Sequence, residues 1–220
     1  MDLPHENSND LYALGVGHNT PVMIDLAEDC GYHIKGLFHY DDTRTGEFFC
    51  GYKIIGSFKD LFSMKDLSGM AFLLTMGDMD IRAQLLAKIT NMRGSVPSII
   101  HPQAIVSRFA TISPVGVYIN CFSHIQAGTT IDMGTIVLSG VNISHNNKVG
   151  KHCFFAGNSV LGAYTEMQDF AFMGQGALSI SGIVHTIGTH AYIGARALLT
   201  KEVPPYATMI GIPAKEKVSE

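Results

Sequence analysis

From Ile119 to Met173 the chain repeats in steps of six. Ile119, Ile125, Ile131, Val137, Ile143, Val149, Phe155, Leu161, Met167 and Met173 are all apolar. Four residues after each, the side chain is small or compact: Ser123, Thr129, Thr135, Val141, Asn147, Cys153, Ser159, Thr165, Ala171 and Ala177. An α-helix repeats about every 3.6 residues and a half-buried strand every two, so neither yields a strict six. A parallel β-helix does. Three short strands make one coil of about eighteen residues, and stacked coils build a triangular prism. The large apolar residue of each hexad points into the prism and the small one fills its corner. Glycines follow the apolar position in Val149-Gly150, Leu161-Gly162, Met173-Gly174, Ile187-Gly188 and Ile193-Gly194. They are expected where a turn needs a residue without Cβ. A β-sandwich with accidental periodicity would not hold so many apolar positions in register.

The same pattern sets the boundaries. Ile100, Val106 and Ile112 also keep a six-residue step, but one residue out of phase with the later run. A one-residue slip between Ile112 and Ile119 resets the register. After Met173 the register slips by two, to Ile187, Ile193 and Leu199. The segment Gly174–Thr186 must then hold a bulge or small loop. About six coils fit between Ile99 and Val203. Val203-Pro204-Pro205 ends them, and Gly211-Ile212-Pro213-Ala214-Lys215 is an extended tail. The predicted division is residues 1–98 and 99–220.

Residues 11–92 read differently. Buried strands are predicted at Leu11–Gly15, Ile34–Phe38 and Met70–Met76, with a further strand end at Ile54–Ser57. Helices are predicted from Thr20–Pro21 to Gly31, around Phe58–Met64, and from Asp78 to Met92. Thr20 is read as the N-cap of the first, followed by Pro21 as its first residue. Its apolar positions are Val22, Ile24, Leu26 and Ala27; those of the last helix are Ile81, Leu85, Leu86 and Ile89. Strand, glycine turn, helix, strand describes a small Rossmann-like α/β unit of parallel strands. Gly15, Gly17 and His18 form the turn, whose amides can hold a phosphate at the helix start. Asp41 or Asp42 is placed to take a ribose hydroxyl. The third glycine of a G-x-G-x-x-G fingerprint is absent, since Thr20 stands there. A glycine turn that merely packs a helix on a strand is the plain alternative.

Composition narrows the field. The chain has 220 residues and a formal net charge of −4, with no basic stripe, so nucleic acid is not an expected partner. No apolar run approaches twenty residues, so no membrane span is expected. The N-terminus lacks the charged and apolar regions of a signal peptide. Cys30, Cys50, Cys121 and Cys153 are scattered, as reduced thiols in a cytoplasmic protein would be.

Two C-terminal stretches carry a resemblance. Ile193-Gly194-Ala195-Arg196-Ala197-Leu198-Leu199-Thr200-Lys201-Glu202-Val203-Pro204-Pro205 resembles the end of hexapeptide-repeat acyltransferases, as does Gly211–Lys215, where the usual form is G-N-P-A-K. With its N-terminal α/β unit, the chain from about residue 11 to 217 resembles bacterial sugar O-/N-acetyltransferases of the sialic acid O-acetyltransferase and bacillosamine N-acetyltransferase type. The resemblance implies a left-handed β-helix, an exception to the usual crossover hand. It implies acetyl-CoA as co-substrate, a homotrimer with sites between prisms, and a nucleotide-sugar site in residues 1–98. It places the general base at His145, in Ser144-His145-Asn146-Asn147-Lys148-Val149-Gly150. The family has Asp or Glu after the base and a second histidine nine residues on; here these are Asn146 and Phe154. The family loop G-x-x-G-H-G keeps Gly17-His18, but Leu14 and Asn19 replace two glycines. For CoA the resemblance points to backbone around Ala163, Gly174 and Ala195, and to Lys201 and Lys215 for the phosphates.

The implied chemistry is acetyl transfer to a sugar, N-acetylation of a nucleotide-linked amino sugar first and O-acetylation of sialic acid or another hydroxyl second. An imidazole takes the acceptor's proton during attack on the thioester. Two other classes share such a prism. A γ-carbonic-anhydrase-like zinc enzyme would use His185 and His190, but no third histidine lies about two coils earlier, and no metal site is expected. A catalytically dead assembly module is the other, suggested by Asn146 and Phe154.

Overall fold

The computed structural model describes residues 9–217 and divides into two units, residues 1–99 and 100–220. In the first unit, β1 (Asp10–Leu14), β2 (His33–His39), β4 (Tyr52–Ser57) and β5 (Phe72–Leu74) form a parallel sheet in the order β4-β2-β1-β5. β3 (Phe48–Phe49), which the hydrophobic pattern did not reveal, pairs antiparallel with the edge of β4. Helices α1 (Thr20–Asp29), α2 (Phe58–Phe62) and α3 (Met79–Asn91) connect the strands. Ser57 and Asp60 close a capping box that starts α2, and Asp78 caps α3.

Three local expectations are corrected. The N-cap of α1 is Asn19, not Thr20; the Thr20 hydroxyl is instead drawn into a buried knot described below. Val22 and Ile81 are 43% and 46% exposed, while Met23 and Arg82 take the buried positions beside them. Helical spacing alone does not say which edge of an apolar stripe faces the sheet.

The second unit is a left-handed parallel β-helix with three faces. The first face stacks Ile105–Val106, His124–Ile125, Asn142–Ile143, Val160–Leu161, Leu178–Ser179 and Leu198–Leu199. The second stacks Thr111–Ile112, Thr130–Ile131, Lys148–Val149, Glu166–Met167 and Thr186–Ile187. The third runs from Ile99–Ile100 to the strand Thr208–Ile210, where Lys215–Glu216 folds back antiparallel. All ten apolar hexad residues are at most 3% exposed. The slips fall where the pattern put them. Pairing is by eighteen residues for Tyr118 with Ile136, nineteen for Thr111 with Thr130 and twenty for Glu166 with Thr186. The second slip is a widened turn between Ser179 and Thr186.

The glycines after the apolar residues serve close approach rather than φ freedom. None of Gly150, Gly162, Gly174, Gly188 and Gly194 has positive φ. A Cβ on Gly188 would sit 2.3 Å from Pro205 N, and one on Gly162 2.5 Å from Ser179 O. The left-handed residue of a corner falls two positions later, at His152, Tyr164, Gly176, His190 and Arg196.

The small interior residues also do more than fill corners. Thr129 Oγ1 donates to Ser144 O at 2.7 Å, Thr135 Oγ1 to Gly150 O at 3.0 Å, and Thr165 Oγ1 to Val184 O at 2.6 Å. Each bond ties one coil to the next inside a dry core, where an unpaired carbonyl is costly. Thr129→Val removes the bond to Ser144 O and the acceptor for Asn147 N–H. It is expected to lower unfolding free energy by about 2 kcal/mol in denaturant titration, despite matching volume.

Candidate active site

In the first unit a cavity of about 340 Å³ opens at the C-terminal ends of β1, β2 and β5. It is lined by residues 15–20, His39, Tyr40 and residues 75–78. A buried hydroxyl knot shapes it. Thr75 Oγ1 lies 3.1 Å from both Leu14 O and Gly15 O and 3.0 Å from Thr20 Oγ1. Thr20 Oγ1 in turn accepts the Gly17 N–H at 3.0 Å. Gly15 has φ +108° and a Cβ there would meet Thr75 Oγ1 at 2.8 Å. Gly17 has open space around it.

Gly15, Gly17 and His18 line this cavity, but Asp41 and Asp42 do not. Asp41 Oδ1 accepts from Thr43 N–H and Oγ1, capping a short 3-10 turn (Asp42–Arg44). Those bonds hold its carboxyl below the ordinary value. The polar wall at this end of β2 comes instead from His39 and Tyr40, whose rings lie 4.2 Å apart. Asp41 and Asp42 lie past the end of β2, in the 3-10 turn, while the strand end itself, His39 and Tyr40, meets the cavity.

In the second unit His145 sits on the corner between the Asn142–Ile143 and Lys148–Val149 strands, with its side chain exposed. Asn147, the hexad residue, is fully buried beneath it. Its Nδ2 donates to Ser144 O at 2.8 Å and its Oδ1 accepts from Thr165 N at 2.7 Å, which pins the corner. Asn146 adopts φ +57°, a conformation Asn tolerates better than most residues. His145 Nδ1 lies 2.9 Å from Asn146 Oδ1. In a neutral imidazole that donates this bond from Nδ1, Nε2 carries the lone pair that can take a proton. The ring of Tyr164, one coil on, stands at 90° to the imidazole with centroids 5.1 Å apart.

A groove of about 630 Å³ crosses the second face, lined by Thr130, Asp132, Lys148, Glu166, Gln168 and Asp169 among others. His145 stands at the corner where this face begins but does not line the groove.

The residues expected to meet CoA do not share one edge. Gly174 and Ala195 stack on the corner between the third and first faces, where a Cβ on Gly174 would lie 2.7 Å from Ala195 N. Ala163 lies on the His145 corner, and its N–H is already donated to Ser181 Oγ at 2.9 Å. Its amide is thus occupied, which the one-dimensional repeat did not reveal. Gly174 N–H is likewise used, by Ile193 O. Lys201 and Lys215 are both exposed.

The other histidines separate in space. His185 Nδ1 lies 3.4 Å from Tyr164 O, on the His145 corner. His190 lies beyond the far end of the Thr186–Ile187 strand, stacked between Phe170 and Tyr206 at 4.7 and 5.1 Å. The two flank one strand and face different corners. His152 begins that same aromatic column. Phe154 starts a second column with Phe172 and Tyr192. The returns at 152, 170, 190 and 206 were legible had aromatic residues been counted coil by coil.

No family model matches the chain. Among curated proteins it resembles the acyl-[acyl-carrier-protein]–UDP-N-acetylglucosamine O-acyltransferases of Pseudomonas paraeruginosa, at 30% identity over 95 residues, and Pseudomonas putida, at 28% over 92. These matches cover 42% of this chain and 35% of each relative, so the chain spans about a third of their length. Solved structures match far more of it. The acetyltransferase domain of PglB from Neisseria gonorrhoeae, in complex with acetyl coenzyme A, superposes with TM-score 0.85 at 24% identity over 96% of this chain and all of that one. WeeI from Acinetobacter baumannii gives 0.84 at 19%, over 94% and 99%. A variant of GDP-perosamine N-acetyl transferase from Caulobacter crescentus, in complex with CoA and GDP-perosamine, gives 0.64 at 26%, over 97% and 99%. With the coil repeat, these likenesses show the architecture: an α/β unit followed by a left-handed hexapeptide-repeat β-helix, as in the acetyltransferase structures that the chain resembles.

The glycine turn makes a direct prediction. Gly15→Ala should lower the melting temperature by several degrees, because both its φ and the Thr75 hydroxyl oppose a Cβ. Gly17→Ala, in open space, should leave it within a degree or two. Thermal unfolding of the two variants checks this.

Proposed function

We propose that this protein transfers an acetyl group from acetyl-CoA to the amino group of a nucleotide-linked sugar, with His145 as general base. The observation that carries the reading is the His145–Asn146 pair on an exposed corner, where a neutral imidazole donating from Nδ1 has Nε2 open to a proton. The acceptor nitrogen attacks the thioester carbonyl, a C–N bond forms and Nε2 takes the acceptor's proton. Collapse of the tetrahedral intermediate breaks the C–S bond, and the imidazolium returns the proton to the departing thiolate. No covalent enzyme intermediate is needed. The oxyanion requires N–H donors; Ala163 N–H on the His145 corner is taken by Ser181 Oγ, and Ala195 N–H, without an acceptor among the described residues, lies on a different corner and would serve His145 only from a second copy of the chain.

The first unit's cavity supports a nucleotide site. Gly15, Gly17 and Thr20 N–H are already bonded within the turn and sheet, which leaves the amides of residues 16, 18 and 19 for a pyrophosphate, and Tyr40, 77% exposed on the rim, suits a base. Lys201 and Lys215 remain candidates for CoA phosphates, and Gly174 for close approach of the pantetheine. A homotrimer is part of the proposal. Ile105 and Leu178 on the first face, with Phe109, Phe122 and Ile183 on its corners, are exposed apolar side chains of the kind a second copy covers. A cytoplasmic setting is also part of it; no helix among the described residues is long and apolar enough to cross a membrane. O-acetylation is the second reading, favoured by the curated O-acyltransferase relatives.

The test is thiol release from acetyl-CoA with a panel of UDP-, dTDP- and GDP-linked amino sugars and with sialic acid. Wild type should turn over one amino sugar, and His145→Ala should lose about 100-fold or more in kcat. Turnover of sialic acid alone would establish the O-acetyl reading. Undiminished turnover in the variant would remove His145 as the base.

A further inference from the structure

The corner that carries His145 holds a column of left-handed residues, one per coil. Gly128, Asn146, Tyr164 and Gly182 have φ of +71°, +57°, +62° and +68°. Three of the four are glycine or asparagine, the residues that adopt this backbone most readily. Tyr164 is the exception. On another corner the same position is held by His152, Phe170, His190 and Tyr206, which stack on one another, whereas the ring of Tyr164 is 57% exposed. What its ring touches is the imidazole of His145, edge to face at 5.1 Å.

The backbone of Tyr164 is fixed from both sides. Its N–H donates to His145 O at 3.3 Å, joining it to the coil before. On the coil after, the two-residue insertion is packed onto it. Ser181 Oγ accepts from Ala163 N–H, Gly182 N–H donates to Ala163 O at 3.2 Å, and His185 Nδ1 meets Tyr164 O. The widened turn thus has a local consequence: it clamps the residue that carries the ring.

We propose that Tyr164 is a positioning residue for His145, its ring holding the imidazole against Asn146 Oδ1 so that Nε2 stays directed to the acceptor. This rests on the reading of His145 as the base. Asn146 alone supplies one hydrogen bond to an exposed ring, and a half-turn about the ring bond would exchange its nitrogens and lose it. The flanking aromatic ring restricts that rotation. The hydroxyl has no part in the contact, so phenylalanine should serve as well.

The experiment uses Tyr164→Gly, which removes the ring while keeping the left-handed backbone at ease, and Tyr164→Phe, which keeps the ring. Tyr164→Gly should melt at or above the wild-type temperature, yet lose roughly 10- to 100-fold in kcat with little change in KM. Tyr164→Phe should stay within about twofold of wild type. Imidazole nitrogen shifts in alkaline buffer, with the His145 signals assigned by their loss in His145→Ala, give a readout independent of turnover. Wild type and Tyr164→Phe should show the Nδ1–H tautomer, and Tyr164→Gly a mixture. An unchanged tautomer in Tyr164→Gly overturns the proposal, as does an unchanged kcat. If wild type acetylates no sugar, the functional reading fails, while the nitrogen shifts still decide what Tyr164 does to His145.

Discussion

The structure of the second unit depends on one constraint: each coil must lie flat on the next. Strands of two residues have little stability of their own and gain it from stacking. Flat stacking requires a continuous apolar column inside, which the hexad residues provide. It also requires corners tight enough for the coils to touch. Glycine allows that touch at Gly162, Gly174 and Gly188, and interior threonines bond the carbonyls that the stacking buries. A loop can depart from the prism only where the register gains residues, as it does between Ser179 and Thr186.

The same constraint makes a corner a good place for chemistry. The residue just before a left-handed corner position points away from the packed interior, yet its backbone is fixed by coils on both sides. His145 has this combination: an exposed ring on a backbone pinned by buried Asn147 and by the coil of Tyr164. Asn146 offers Nδ1 an acceptor that carries no charge. Such a neutral acceptor fixes the tautomer without an ion pair to stabilise the imidazolium.

The first unit solves a different problem. Its glycine turn must pass between the end of β1 and the start of α1 without blocking the cavity. A knot of two buried threonine hydroxyls and the Leu14 and Gly15 carbonyls holds it there. The knot uses the side chain that would otherwise have capped α1. That is why Thr20 reads as a cap in one dimension and acts as a fold contact in three. The tie to Thr75 spans 55 residues, beyond what any local rule registers.

By itself the sequence determined the β-helix, both slips in its register, the strand-and-helix order of residues 10–91 apart from Phe48–Phe49, the corner position of His145 and the glycine turn. All of these follow from periodicities and short-range turn chemistry, which are properties of a chain segment and its near neighbours. The tertiary structure alone decided which backbone amides stay open, as the capture of Ala163 N–H by Ser181 shows. It decided that Asp41 binds its own turn rather than the cavity, and that His185 and His190 part to different corners. It set Tyr164 against His145. These outcomes depend on which side chains a coil or strand brings face to face across eighteen or more residues, and a one-dimensional pattern carries the spacing but not the direction of a side chain.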